Sequence, residues 1–553
     1  MIRNLLKKLT FFFWLAPGFL LWASFPPMGE CKDAYLALAP LLWLVRQGDV
    51  KKSVVRWFLN GFLFWFATLS WMPAIVKNGG PWPLVVLGWG VLAVYCAGYF
   101  AAFGWLSARL WCWVRNRGYW WRLMAIVVAE PLLWAGLEIV RSRLLGGFAW
   151  NQLGVVAANA GFGAPARFGG VYLLSAAIVL INGTIASIAE TMLAPWLGAR
   201  GGKAAAIGAA ASPVEIPRML RSLETVLPLL FVVGLYCLPG SVPASAPENS
   251  RTLTVALFQR NFPCVFDRHR REDPIAVYSN LASRVAFLKP DLAVLPESAL
   301  CEIGDIGGRD GNDLAFARWL AGAARSRAVL AGGGRGEGGR IYNSAALYAG
   351  STVALYDKVH LVPFGEFIPG DKLFPALQKL APVGSCSAGE LKLMELPAGV
   401  GEAEGVGLGV AICYEDTDSA QIRRLAAMGA KMLVFITNDS WFSHSSQTVQ
   451  HAWQATARAI ETGLPVVRVG NSGVTGVIFP DGRAEWLRDE AGGMLVDVSG
   501  TMCERVGVSR GEVPPTFYVR WGDAPLFTAF LLLIVAMSVV KYLHEHEKRR
   551  YLP

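Results

Sequence analysis

Apolar residues dominate the chain near 11–25, 34–45, 54–76, 82–114, 122–144, 168–194 and 224–241, and nothing comparable follows until 524–542. A hydrocarbon core about 30 Å thick needs roughly 20 apolar helical residues. The third to sixth of these stretches and the last reach that length. The first two are shorter and broken by Pro17, Pro26, Pro27 and Pro40, so they read either as two tilted helices or as one re-entrant hairpin. The pattern predicts a helical membrane domain of about seven spans over 1–241, a soluble part over 242–523, and a final span with its tail over 524–553. The first stretch follows Arg3, Lys7 and Lys8 as a signal peptide would. It leads to no clean A-x-A site and further apolar stretches follow at once, so it reads as an uncleaved anchor.

Between 242 and 523 the period changes. Short β-rich apolar runs stand at 252–258, 291–296, 328–332, 341–348, 405–413, 432–437, 464–469, 474–479 and 494–498, with helical patterns at 273–289, 311–327, 417–429 and 446–463. Strands alternating with helices predict an α/β layered sandwich, large enough for its own core. Functional groups of such sheets collect at the carboxyl ends of strands. Three residues qualify: Glu297 after DLAVLP, Lys358 after STVALYD, and Cys413 at the end of GVGLGVAI.

Composition sharpens the membrane reading. Hydrophobic residues make up 54% and charged ones 17%, against about 25% charged in soluble proteins, which excludes a purely soluble, disordered or disulfide-stapled chain. The formal charge of +10 implies no nucleic-acid partner, because many Lys and Arg flank apolar runs. With a cytoplasmic N-terminus they gather on one side: Arg3, Lys7 and Lys8; Arg46, Lys51, Lys52 and Arg56; Arg115, Arg117 and Arg122; Arg200, Lys203, Arg218 and Arg221; Lys541, Lys548, Arg549 and Arg550. The opposite loops hold only Lys32, Lys77, Arg141, Arg143 and Arg167. The positive-inside rule then places 242–523 outside the cytoplasm. Residues 201–212 and 240–250 read as linkers. The nine Cys include no CxxC pair and no Cys/His spacing for zinc, so no metal is expected. Pairing among Cys264, Cys301, Cys386 and Cys503 stays open.

Each candidate has an ordinary reading. A Cys closing an apolar strand is usually a small buried hydrophobe, but a strand that stops at Cys413 and turns into a helix presents sulfur and a backbone N–H together, as nucleophile turns do. Glu297 is either a cap or a general base raised by desolvation. Lys358 would normally be a surface residue. It lies, however, in YDKVHLVPFGEFIP, where one Lys, one His and one Glu sit among apolar residues in a Pro- and Gly-broken loop. His360 reads as a packed structural residue, and His444 and His451 lack the spacing of metal ligands.

Together, Glu297, Lys358 and Cys413 in LPES, YDKVHLVPFGEFIP and GVAICYED resemble the Glu-Lys-Cys signature of the nitrilase superfamily. YNSA at 342–345, ITNDSWF at 436–442, RAIE at 458–461 and RVGNSGVTGVIFPDG at 468–482 accompany it. The flanking spans, with SFPPMG at 24–29, GGFAWNQLG at 146–154 and FGGVYLLSAAIVLIN at 168–182, are similar to the membrane-embedded branch, the bacterial apolipoprotein N-acyltransferases. Departures are Ala149 where Pro is usual before Trp150, Asp267-Arg268 where Lys-Trp is usual, and a 443–450 loop without its usual Pro.

The resemblance implies an α-β-β-α sandwich, a monomer in the bacterial inner membrane, and no cofactor. It implies a glycerophospholipid acyl donor and a diacylglyceryl apolipoprotein acceptor, with membrane lipids around the chain. Glu297, Lys358 and Cys413 would be catalytic, supported by Tyr414, Glu366, Glu415 and Asn343. Trp150, Phe364 and Phe367 are candidates for the lipid entrance, with interfacial anchoring the equal alternative. A membrane-tethered amidase acting on a small amide would use the same triad. A transporter with a soluble binding module is disfavoured by the scarcity of ionisable residues within the spans.

Overall fold

The computed structural model describes residues 15–46, 49–198, 218–237, 250–262, 273–370, 385–399, 404–442 and 444–550. The chain forms two compact units, one of Met1–Ser70, Leu87–Gly240 and Trp521–Pro553, the other of Trp71–Val86 and Ser241–Arg520. The segment Trp71–Val86 therefore clusters with the α/β unit. Asn78 there donates to the Trp441 carbonyl at 2.8 Å, and the Trp71 indole donates to Gln450 at 3.2 Å and meets Phe442 edge-on.

Among the described residues, five helices are long and apolar enough to cross a bilayer: Val50–Asn78, Trp82–Val114, Tyr119–Arg141, Ala166–Met192 and Ala524–Leu543. Only 6% of the apolar window of the last is buried within the protein, so its side chains need a hydrocarbon solvent. The stretch at 34–45 is not one span but two short helices, Ala34–Ala37 and Ala39–Val45. Asn182 heals the break. Its side-chain oxygen accepts from the Leu38 and Ala39 amides, and its nitrogen donates to the Ala34 carbonyl. Backbone polar groups left unpaired in an apolar setting would cost several kcal/mol each, on the order of 2–7. The charges at 3–8 and 200–203, the linkers at 201–212 and 240–249, Cys264 and Asp267-Arg268 lie outside the described residues. Arg46 and Arg122 are buried, sharing Glu190 at 3.4 and 3.3 Å.

The other unit is a four-layer sandwich. Its strands are β1 (Ser250–Gln259), β2 (Leu292–Val294), β3 (Ala328–Glu337), β4 (Arg340–Ala349), β5 (Thr352–Asp357), β6 (Met394–Leu396), β7 (Val406–Ile412), β8 (Met432–Asn438), β9 (Val466–Asn471), β10 (Gly476–Ile478), β11 (Ala484–Trp486) and β12 (Gly500–Ser509). They form two six-stranded sheets, ordered β12-β1-β2-β3-β4-β5 and β11-β10-β9-β8-β7-β6. Alternation assigns the faces. Leu253, Val255 and Leu257 of β1 join Val410 and Ile412 of β7 in the core between the sheets. The intervening Ala256 and Phe258 face α1 (Pro274–Val285) and α2 (Asn312–Ala324), while Ala411 faces α3 (Ser419–Ala427) and α4 (Gln447–Thr462).

The nine runs expected as strands include eight that are strands. The run at 494–498 instead carries one isolated bridge, Arg488 to Met494, and the strand follows at β12, paired antiparallel with β1 from Gly500–Gln259 to Ser509–Ser250. Cys301, Cys386 and Cys503 are free thiols.

Candidate active site

Glu297, Lys358 and Cys413 follow β2, β5 and β7, on sheets that meet face to face. The β2 chain turns at Ser298, with φ of 63°, and passes so close to β3 that a Cβ on Gly332 would fall 2.6 Å from the Glu297 Cα. Lys358 extends the β4–β5 ladder by one rung, its amide donating to the Asn343 carbonyl at 2.8 Å. Cys413 ends β7 with φ of 53° and opens a 3-10 turn, Cys413–Thr417. Left-handed backbone at a non-glycine residue is sparsely populated and is held only where surroundings over-determine it.

Glu415 supplies that determination. One carboxylate oxygen accepts from the Val359 and His360 amides at 2.8 and 3.0 Å, the other from the Ile412 amide at 2.8 Å, and the Tyr356 hydroxyl donates to both. It thereby ties the loop after Lys358 to the residue before Cys413.

The charged centre is closely knit. Glu297, 6% exposed, accepts from Asn343 Nδ2 at 2.7 Å and from the Asn438 amide at 2.8 Å. Lys358, 1% exposed, lies 2.8 Å from Glu366 Oε1 and 3.9 Å from Glu297 Oε1. Glu366 is thus the nearer of its two carboxylates. Asn343 also donates to Glu366 Oε1, and the Val362 amide to Oε2.

Burial raises the Glu297 carboxyl above its usual range, and Glu366 adds to this against the opposing pull of Lys358. Burial also works to lower the Lys358 ammonium, but Glu366, Glu297 and Cys413 outweigh it and hold it cationic. Glu366 is likewise opposed by burial, yet Lys358 keeps it ionised. Burial, then the Glu297 charge, pushes the Cys413 thiol well up. A thiol so placed stays protonated until a base removes the proton, and Glu297 is the carboxylate that acts on it most strongly.

Tyr414, half-buried, meets the His360 ring edge-on. Phe364 is 65% exposed, with φ of 62°, and its amide donates to the carbonyl of the half-buried Phe367. Trp150 belongs to the other unit and is 3% exposed, an interior residue there. The reason is Arg141, whose guanidinium donates to the Phe148 and Trp150 carbonyls at 2.9 and 2.8 Å and draws that loop inward.

Sequence reading missed the Asn438 amide, which is a backbone donor with no side-chain signature. It also missed Asp416, Asp439, His451 and Arg468, all at most 1% exposed. A signal existed on α4, where Gln447, His451, Gln454, Arg458 and Glu461 form a polar stripe at helical spacing that is wholly buried.

Two family models match the chain, the apolipoprotein N-acyltransferase N-terminal domain over residues 17–184 and carbon-nitrogen hydrolase over 254–490. A relative from Geobacter metallireducens, named apolipoprotein N-acyltransferase, is 31% identical over 524 residues, covering 92% of this chain and 90% of its own. The chain belongs to the apolipoprotein N-acyltransferase family. A relative of the same name from Photobacterium profundum is 28% identical over 84% of each chain. Among solved structures, the NitN amidase from Neterenkonia sp. AN1 is similar at 20% identity over 50% of this chain and 98% of its own, with a TM-score of 0.35.

Proposed function

We propose that the protein moves a fatty acyl chain from a glycerophospholipid to the α-amino group of a diacylglyceryl-cysteine at an apolipoprotein N-terminus, through a thioester on Cys413. The observation that carries this reading is likeness across nine-tenths of both chains, membrane and α/β parts together, to a relative named apolipoprotein N-acyltransferase.

The chemistry follows from the residue types. Glu297 takes the thiol proton as sulfur attacks the donor ester, and the tetrahedral oxyanion is met by the Lys358 ammonium and the Tyr414 backbone N–H. Collapse breaks the ester C–O bond, and Glu297 returns its proton to the departing lysophospholipid oxygen. In the second half the neutral amine attacks the thioester and gives a proton to Glu297. Collapse then forms the amide and expels the thiolate, which regains the proton. A thioester reacts readily with an amine, and the thiol is the nucleophile suited to forming it. Fixed donors at the oxyanion act without reorganising, each typically worth roughly 10²–10³ in rate. Glu366 keeps Lys358 charged, Asn343 couples both carboxylates, and Glu415 sets the spacing. The exposed Phe364, with Phe367, offers apolar surface to acyl chains.

Both substrates carry long acyl chains, and drawing one into water costs about 0.8 kcal/mol per CH₂. A protein with membrane spans avoids that transfer. On this reading the α/β unit lies outside the cytoplasm of the inner membrane.

Purified protein incubated with phospholipid alone tests the mechanism. Intact mass should rise by one acyl group on Cys413, with up to about one equivalent of lysophospholipid released before any acceptor is added. Free acid and ammonia from a small amide, with no acyl adduct, would mean an amidase instead.

A further inference from the structure

A second buried cluster, unused by the chemistry above, begins on the same turn as the thiol. Asp416 stands three residues after Cys413, Asp439 opens the turn after β8, His451 lies on α4 and Arg468 on β9. The His451 ring is clasped from both sides, its Nε2 2.9 Å from Asp416 Oδ1 and its Nδ1 2.8 Å from Asp439 Oδ1. Arg468 faces the same two carboxylates, Nη2 to Asp439 at 3.4 Å and Nε to Asp416 at 3.7 Å. Gln447 Nε2 and the Thr437 hydroxyl complete the shell, each 3.3 Å from Asp439 Oδ1.

Geometry and charge agree on the state of the ring. A neutral imidazole has one donor, whereas here Nδ1 is hydrogen-bonded to Asp439 and Nε2 has an Asp416 carboxylate oxygen at ion-pair distance. Two carboxylates against one guanidinium leave one negative charge unbalanced in a fully buried site, which is costly unless a second cation is present. The imidazolium meets both demands. Burial opposes it, yet Asp416 and Asp439 carry its pKa to about 9 despite Arg468.

The cluster also touches the reactive centre. Asp439 follows Asn438, whose amide donates to Glu297, and the Asp439 charge raises the Cys413 thiol while the Thr437 hydroxyl lowers it.

We propose that His451 is a positioning residue for acyl transfer, an imidazolium that locks the Cys413 turn to the Asn438–Asp439 turn and cancels the Asp439 charge facing the thiol. The proposal rests on Cys413 being the nucleophile. The linkage holds the sulfur and the Glu297 carboxylate in register and keeps Asp439 from adding its own negative charge to that of Glu297 against thiolate formation.

The test is the pH dependence of Cys413 alkylation by iodoacetamide in the full-length, detergent-solubilised protein, read by peptide mass. His451→Gln keeps a donor but removes the charge. The thiol pKa should rise by about one unit, slowing alkylation at neutral pH about tenfold. Adding Asp439→Asn removes the opposing charge and should return the thiol to within about twofold of wild type, about 0.3 of a unit. Equal slowing in both variants with an unmoved pKa would overturn the proposal.

Should His451→Gln not fold, ¹⁵N-histidine spectra of the wild type decide. One ring besides that of His360, removed by His360→Asn, should keep both nitrogens protonated at pH 8. Neutral rings throughout would overturn the imidazolium. Failure of wild type to form any acyl adduct would sink the thioester reading itself, whereas a normal adduct with an unshifted thiol in His451→Gln sinks only the clamp.

Discussion

Cys413 and Asp416 stand three residues apart on one turn, yet each faces a different cluster of buried charge. Around Cys413, two carboxylates, Glu297 and Glu366, share one ammonium, Lys358. Around Asp416, two carboxylates share a guanidinium and an imidazole clasped between them. The first cluster carries an excess negative charge and the second is balanced once the imidazole is protonated. Burial raises Glu297, with the Glu366 charge adding to it, while Lys358 holds Glu366 low, so Glu297 is the carboxylate ready to accept a proton. A balanced cluster has no proton to trade near neutrality. On the mechanism and the clamp proposed above, that difference separates a reacting site from a bracing one with the same kinds of side chain.

Removing Cys413, the proposed nucleophile, should break the comparison most severely. Cys413→Ala should fold, because it deletes one small atom from a half-buried position, and should form no acyl adduct and no lysophospholipid by mass spectrometry. Turnover near the wild-type rate would end the covalent mechanism.

Glu297→Gln keeps the shape but takes away the proton acceptor, and both half-reactions should slow about 10²–10⁴-fold. Because burial raises the Glu297 pKa, the acid limb of the wild-type kcat/KM profile should lie above the ordinary carboxylate range, with activity lost as pH falls through it. That limb should vanish in the variant.

Glu366→Gln makes the first cluster balanced like the second. Glu297 loses one of the charges that raise it, so the acid limb should move to lower pH, with kcat reduced about tenfold, equivalent to one unit of pKa or 1.4 kcal/mol. An acid limb that stays in place would contradict the charge count.

The smallest effect concerns stability. A histidine raised from about 6.5 to about 9 contributes stability that is fully present below the lower value and lost as pH rises through the upper one. Thermal unfolding of the wild type should therefore shift a few degrees downward between pH 8 and 10. His451→Gln should flatten that dependence.

Much of this was legible in sequence for physical reasons. Glu297, Lys358 and Cys413 each close an apolar strand, so the position of the strand gives the position of the group. Asp416, Asp439, His451 and Arg468 come from four elements, and only the packing of α4 on its sheet brings them together. The edge strand β12 escaped because GTMCERVGVS mixes polar and apolar residues, with its partner β1 supplying the ladder. The short helices at 34–45 depend on Asn182, more than 140 residues away.

The bridge made by Glu415 has a consequence for timing. Its carboxylate receives amides from the loop after Lys358 and from the strand end before Cys413, so the segments that carry the ammonium and the sulfur are tied together before any lipid arrives. Two chemically unlike partners, a departing alcohol and an incoming amine, then meet the same unmoving ruler. On the mechanism proposed above, one fixed spacing would serve both half-reactions, with no rearrangement of the Lys358 loop or the Cys413 turn between donor and acceptor.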